Sequence, residues 1–130
     1  MRIVFDTSIL IGLERKDEEI ITKISRLIKD YPDAPAITAP TFAEFYYGFL
    51  KKFPQKASGA LKELEKYVFL PETKESARVL AELRLVMEKQ GKTIGLYDLF
   101  IAAIVLSYGS VLATEDAAFT SVPGLTVIVV

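Results

Sequence analysis

Near the start of the chain, Ile3-Val4-Phe5 forms an unbroken apolar run that stops at a carboxylate, Asp6. A run this short and continuous reads as a strand buried on both faces of a parallel sheet. Thr7 and Ser8 follow and are placed to cap a second apolar stretch, Ile9-Leu10-Ile11-Gly12-Leu13, long enough for a short helix. A strand that ends in Asp and turns into a helix sets that Asp at the carboxyl edge of the sheet. Open α/β sheets bind their ligands at that edge. The question for the rest of the sequence is which other groups converge on Asp6.

The later segments fit the same frame. Asp17-Glu18-Glu19 opens an amphipathic helix marked by Ile20, Ile21, Ile24, Leu27 and Ile28. Ala36 to Ala39 is a short strand candidate. Pro40 and Thr41 open an aromatic helix, Phe42 to Phe53, and a further helix is expected from about Gln55 to Val68. Phe69-Leu70-Pro71 reads as an extended link. Thr73 to Gln90 is the clearest helix, with Ala77, Leu80, Leu83 and Met87 as its buried stripe and Gly91 as its stop. Tyr97 to Tyr108 is apolar nearly all round, so it is expected to be the most buried helix, with Gly109 after it. Ser110 to Ala113 and Thr126 to Val130 complete the strands. Alternating strands and helices predict a three-layer α/β/α sandwich with a short parallel sheet of four to five strands, one domain over residues 1–130.

Composition limits the chemistry. The 130 residues are 51% apolar and 25% charged, which suits one globular domain with a sizeable core. There is no cysteine, so disulfides, thiolate zinc sites and Cys nucleophiles are excluded. There is no histidine, so Ser-His-Asp triads and imidazole metal sites are excluded as well. Any catalysis must use carboxylates, hydroxyls, Lys, Arg or Tyr. A net charge of −1 argues against a broad basic surface for nucleic acid, though not against a local rim. No apolar run is long enough to span a bilayer and no signal-peptide pattern opens the chain; a cytoplasmic protein is expected.

Four acids stand where they could meet. Asp6 and Asp116 each follow a strand on the same edge, and Glu44 and Asp98 lie at the starts of helices that could leave from it. Each has an ordinary alternative. Asp6 could simply cap a helix, and Thr41-Phe42-Ala43-Glu44 has the spacing of a capping box. Asp98 suits a helix dipole, and Asp116 could begin a turn. Together the four are harder to dismiss, because carboxylates at contact distance raise one another's pKa and a divalent cation relieves the conflict. With oxygen ligands only, Mg²⁺ or Mn²⁺ is the expected ion. Gly91-Lys92-Thr93 imitates the end of a phosphate-binding loop, but the first glycine of that motif would fall on Val86.

The order Asp6-Thr7-Ser8, Glu44 with Gly48, Asp98-Leu99-Phe100-Ile101-Ala102-Ala103 and Thr114-Glu115-Asp116 with Phe119 resembles a PIN domain over the whole chain. It is most similar to the small stand-alone toxins of the VapC type. The resemblance implies a Mg²⁺-dependent ribonuclease whose metal-binding and catalytic acids map onto Asp6, Glu44, Asp98 and Asp116. Ser8 and Thr114 would be hydroxyls that orient the carboxylates. It further implies an RNA substrate and an antitoxin partner. Glu115 stands where the family varies and has no assigned role. Arg15, Lys16, Lys51, Lys52, Lys56 and Lys92 are candidates to hold phosphates, and the aromatic helix with the helix after it is expected to form a homodimer. Two rival readings remain. A haloacid dehalogenase-like phosphotransfer enzyme also starts with a strand and an Asp, but it looks like Asp-x-Asp, and here the second position is Ser8. A non-catalytic RNA- or protein-binding module on the same fold is the other.

Overall fold

The computed structural model describes residues 1–130. Five parallel strands form one sheet: β1 (Ile3–Phe5), β2 (Ala36–Thr38), β3 (Val68–Leu70), β4 (Val111–Thr114) and β5 (Thr126–Val129), in the order β3-β2-β1-β4-β5. Six helices flank it: α1 (Thr7–Glu14), α2 (Glu18–Leu27), α3 (Ala39–Lys52), α4 (Ala57–Leu64), α5 (Lys74–Lys89) and α6 (Leu96–Ser107). The chain starts in the middle of the sheet, runs outward through β2 and β3, then crosses back through α5 and α6 to β4. The order therefore reverses between β1 and β4, and in open α/β sheets ligands bind at the carboxyl ends of the strands on either side of such a reversal.

Side-chain alternation along each strand builds two cores, one per face. Ile3, Phe5, Ile37 and Ala113 point to the face covered by α1 to α4. Val4, Ala36, Leu70 and Leu112 point to the face covered by α5 and α6. Ile101 to Val105 in α6 are all buried, which accounts for a helix that is apolar nearly all round. Gly12 suits a close approach, since a Cβ there would stand 3.1 Å from the Ile20 side chain where α1 meets α2.

Several sequence expectations are corrected. Phe69-Leu70 belongs to an edge strand and not to a link: its residues pair with β2, but three residues show no periodicity to read. The helix expected from Gln55 to Val68 is a 3₁₀ turn at Pro54–Lys56 followed by the shorter α4, which ends before β3. Helix α3 begins earlier than expected, because Thr38 caps it by accepting from the Thr41 N–H. Thr41 therefore caps nothing, and Thr41–Glu44 is not a capping box. In α5, Ala77 is exposed; Ser76 is buried instead, locked in a reciprocal capping box with Thr73.

Candidate active site

The carboxyl ends of β1 and β4 are organised by Asp6, which is 5% exposed. It caps α1, with Oδ1 accepting from the Ile9 N–H at 3.3 Å. It does more than cap. Ser8 Oγ donates to Oδ1 at 2.6 Å, and Thr114 Oγ1 donates to Oδ2 at 2.5 Å. Each of these hydroxyls also accepts from the backbone beyond β4: Ser8 from the Glu115 N–H at 3.0 Å, Thr114 from the Asp116 N–H at 2.9 Å. Two hydroxyl bridges thus tie the end of β1 to the end of β4 across the point where the sheet order reverses. Burial pushes the Asp6 carboxyl above its ordinary value, and the bonds from Ser8, Thr114 and Ile9 hold it back.

Because α3 starts at Ala39, Glu44 lies inside the helix, where it is not needed as a cap. Its Oε1 accepts from Thr7 Oγ1 at 2.6 Å. Thr7 was not anticipated as a site residue. The sequence gives no sign of this bond, because the partners are 37 positions apart. Consecutive residues at the start of α1 thus do different things: Asp6 caps the helix, Thr7 holds Glu44, and Ser8 joins Asp6 to the exit of β4.

Asp98 sits in the first turn of α6 and is held differently. Nothing in the chain donates to its carboxylate. Burial raises its pKa most, followed by the charges of Glu44, Asp116 and Asp6 in that order. Asp98 therefore lies within electrostatic reach of the other three acids. Asp116 is exposed and uses Oδ1 to cap the 3₁₀ turn Ala117–Ser121. Every salt bridge in the molecule lies elsewhere on the surface, so no Lys or Arg neutralises any of the four. As their side chains stand, no three acids form a ready-made ligand cage. Mutual repulsion favours such a spread. An all-oxygen set with no imidazole or thiolate suits a hard divalent cation.

The basic candidates are scattered. Arg15 and Lys52 line a cleft next to Glu44. Lys16 lines a larger groove between α1 and α4. Lys51 and Lys56 stack over Tyr47 and Phe53, and Lys92 donates to the Ser121 carbonyl. Glu115 is exposed beside the site, and only its backbone N–H is engaged there.

The PIN domain family model matches residues 3–125. The chain belongs to the PIN-domain family. A curated relative is the ribonuclease VapC5 of Mycobacterium tuberculosis, 29% identical over 128 residues, covering 93% of this chain and 87% of the relative. The crystal structure of VapBC-5, a toxin–antitoxin system member from the same organism, shares 28% identity and a TM-score of 0.74, covering 98% of this chain and 97% of that one. VapBC2 of Rickettsia felis, solved bound to a DNA fragment from its promoter, superposes with a TM-score of 0.87 at 23% identity, covering 100% and 99% of the two chains. This PIN domain thus has the parallel-sheet α/β fold of those structures. No helix in it is long and apolar enough to cross a membrane.

Proposed function

We propose that this PIN domain is a metal-dependent endoribonuclease, the toxin of a type II toxin–antitoxin pair. The observation that carries the reading is the set of four acids, Asp6, Glu44, Asp98 and Asp116, gathered at one sheet edge without a compensating cation and coupled through Asp98. Support also comes from the relative named a ribonuclease and from the toxin–antitoxin neighbours.

The residues fit a hard divalent ion, with Mg²⁺ or Mn²⁺ held by Asp6, Asp98, Asp116 and Glu44. Bound there, it would supply Lewis-acid polarisation of the phosphodiester and a more acidic water. The chain does the positioning. Ser8 and Thr114 fix the Asp6 oxygens, so one carboxylate keeps its orientation whatever the others do. Thr7 holds Glu44, which can take a proton from the attacking water. Asp98 and Asp116 are not fully engaged and can turn inward. An antitoxin segment that crosses the acidic edge would block the site, and a basic side chain suits the uncompensated charge.

The homodimer belongs to this reading. Phe45 is buried and Phe42, Tyr46 and Phe49 pack on the core, but Tyr47 and Leu50 on the aromatic helix are exposed, which offers that face to a second copy. Leu85 on α5 and Leu96 at the start of α6 are exposed as well. A monomer in sedimentation equilibrium at micromolar concentration would rule the dimer out. The activity itself is tested by incubating RNA with the protein in Mg²⁺ and in chelator. Cleavage in Mg²⁺ alone that disappears in Asp98→Asn is expected; cleavage unaffected by either change contradicts the reading.

A further inference from the structure

Gly48 has no internal reason to be glycine. It lies inside the 14-residue helix α3, where glycine weakens a helix relative to alanine. Its φ is not positive, and a Cβ built on it meets nothing within 4 Å. Gly12, by contrast, is pressed against Ile20. Gly48 lines a cleft of about 110 Å³ between α1 and α3, and Glu44 is part of the same lining. Phe49 and Phe53 give it aromatic walls; their rings lie 6.1 Å apart and tilted, and Phe53 is 53% exposed. Arg15 and Lys52 stand on its rim.

We propose that this cleft is a nucleobase subsite for single-stranded RNA, seating a base close to the cut phosphodiester. The proposal rests on the ribonuclease reading of the acidic edge, with which the cleft is continuous through Glu44. An aromatic wall beside cations is how a protein grips single-stranded nucleic acid: the ring stacks on the base and the cations meet the backbone phosphates. Glu14 shares the rim, so the cleft is not a general anion trap; its carboxylate suits a base edge that presents an amino group. Gly48 keeps the floor low enough for a flat ring to enter.

The test uses Gly48→Leu, Gly48→Ala and Phe53→Ala in the full chain. A labelled single-stranded RNA of mixed sequence is bound in chelator and followed by anisotropy. The same RNA is then cut in Mg²⁺ and its ends mapped. Gly48→Ala should melt at or above the wild type. Gly48→Leu should lose about tenfold in RNA affinity, the size of one lost base–aromatic stack, and Phe53→Ala should weaken binding the same way. Both should blur the base preference beside the cut while Mg²⁺-dependent cleavage persists. Wild-type affinity and an unchanged cut pattern in Gly48→Leu and Phe53→Ala overturn the subsite. If those variants instead lose only the binding of an antitoxin peptide, the cleft belongs to a peptide and the proposal is equally overturned. A wild type that does not cleave RNA in Mg²⁺ defeats the underlying ribonuclease reading, a distinct result.

Discussion

Asp6 and Asp98 stand on one edge of one sheet and are treated in opposite ways. Asp6 is buried, caps α1 and accepts from Ser8, Ile9 and Thr114. Asp98 accepts nothing from the chain and is raised by burial and by three neighbouring acids. The edge has a fixed half, made of the ends of β1 and β4 stitched by hydroxyls, and an open half, made of α6 and the exposed Asp116. A folded chain does not gather uncompensated carboxylates for stability, since each one raises the cost of ionising the next. The fixed half serves the fold as it stands. In the open half Asp116 caps a 3₁₀ turn, whereas Asp98 has no partner in the chain, and the proposed metal site would give it one.

Exchanging each acid for its amide breaks this comparison most sharply. Both Asp6→Asn and Asp98→Asn should abolish Mg²⁺-dependent RNA cleavage, seen on a gel. Their stabilities in chelator should diverge. In Asp6→Asn the new amide can donate to the Thr114 hydroxyl, which has been donating to Oδ2, and the hydroxyl proton then loses its acceptor in a buried place. A loss of about 1–3 kcal/mol is expected in a denaturant titration. Sequence alone predicts no such loss, because Asn caps a helix nearly as well as Asp. Asp98→Asn removes a charge that only repels, so it should melt above the wild type.

The hydroxyl bridges come next. Thr114→Val strands one Asp6 oxygen and the Asp116 N–H together, and it should cost roughly 10–100-fold in cleavage. Ser8→Ala should act in the same direction, measured in the same assay. Thr7→Val should cost about tenfold by releasing Glu44, with Thr7→Ser close to wild type. If Thr7→Val is silent, Glu44 does not need its anchor and the fixed half is smaller than drawn.

The smallest effect is on pH dependence. The folded-state pKa of Asp98 lies above its ordinary value of 3.8. Its neutral form therefore favours folding below that value, and the benefit fades as pH rises through the higher folded-state pKa. In chelator, the wild type should lose stability relative to Asp98→Asn over that interval. Below it the two should melt together. A gap that widens toward acid instead would reverse the assigned sign.

Much of the fold could be read from the sequence, because its signals are local. The Ile3-Val4-Phe5 run, the all-round apolar α6 and the glycine after it each declare themselves within a dozen residues. What was missed needed information from across the fold. The three-residue edge strand β3 exists because β2 lies beside it. The start of α3 depended on whether Thr38 or Thr41 would cap, and local spacing supports both. The four acids were visible as a pattern of strand ends and helix starts. That Asp6 is saturated and Asp98 is not could not be seen, since the Thr114 bond spans 108 positions and the Glu44 bond 37. Asp6 also shows that the cap and site readings do not compete, since the carboxylate that caps α1 is the one at the sheet edge.

Of the four acids at this edge, Asp98 is the one with no partner in the chain, and on the proposed function it is there for a divalent cation and not for the fold. Melting temperatures of wild type and Asp98→Asn, each in chelator and in Mg²⁺, test it most directly. A crossing is expected: the variant melts higher in chelator, and Mg²⁺ lifts the wild type past it by binding the folded state. A variant that melts lower in chelator, with Mg²⁺ shifting both proteins equally, would contradict it.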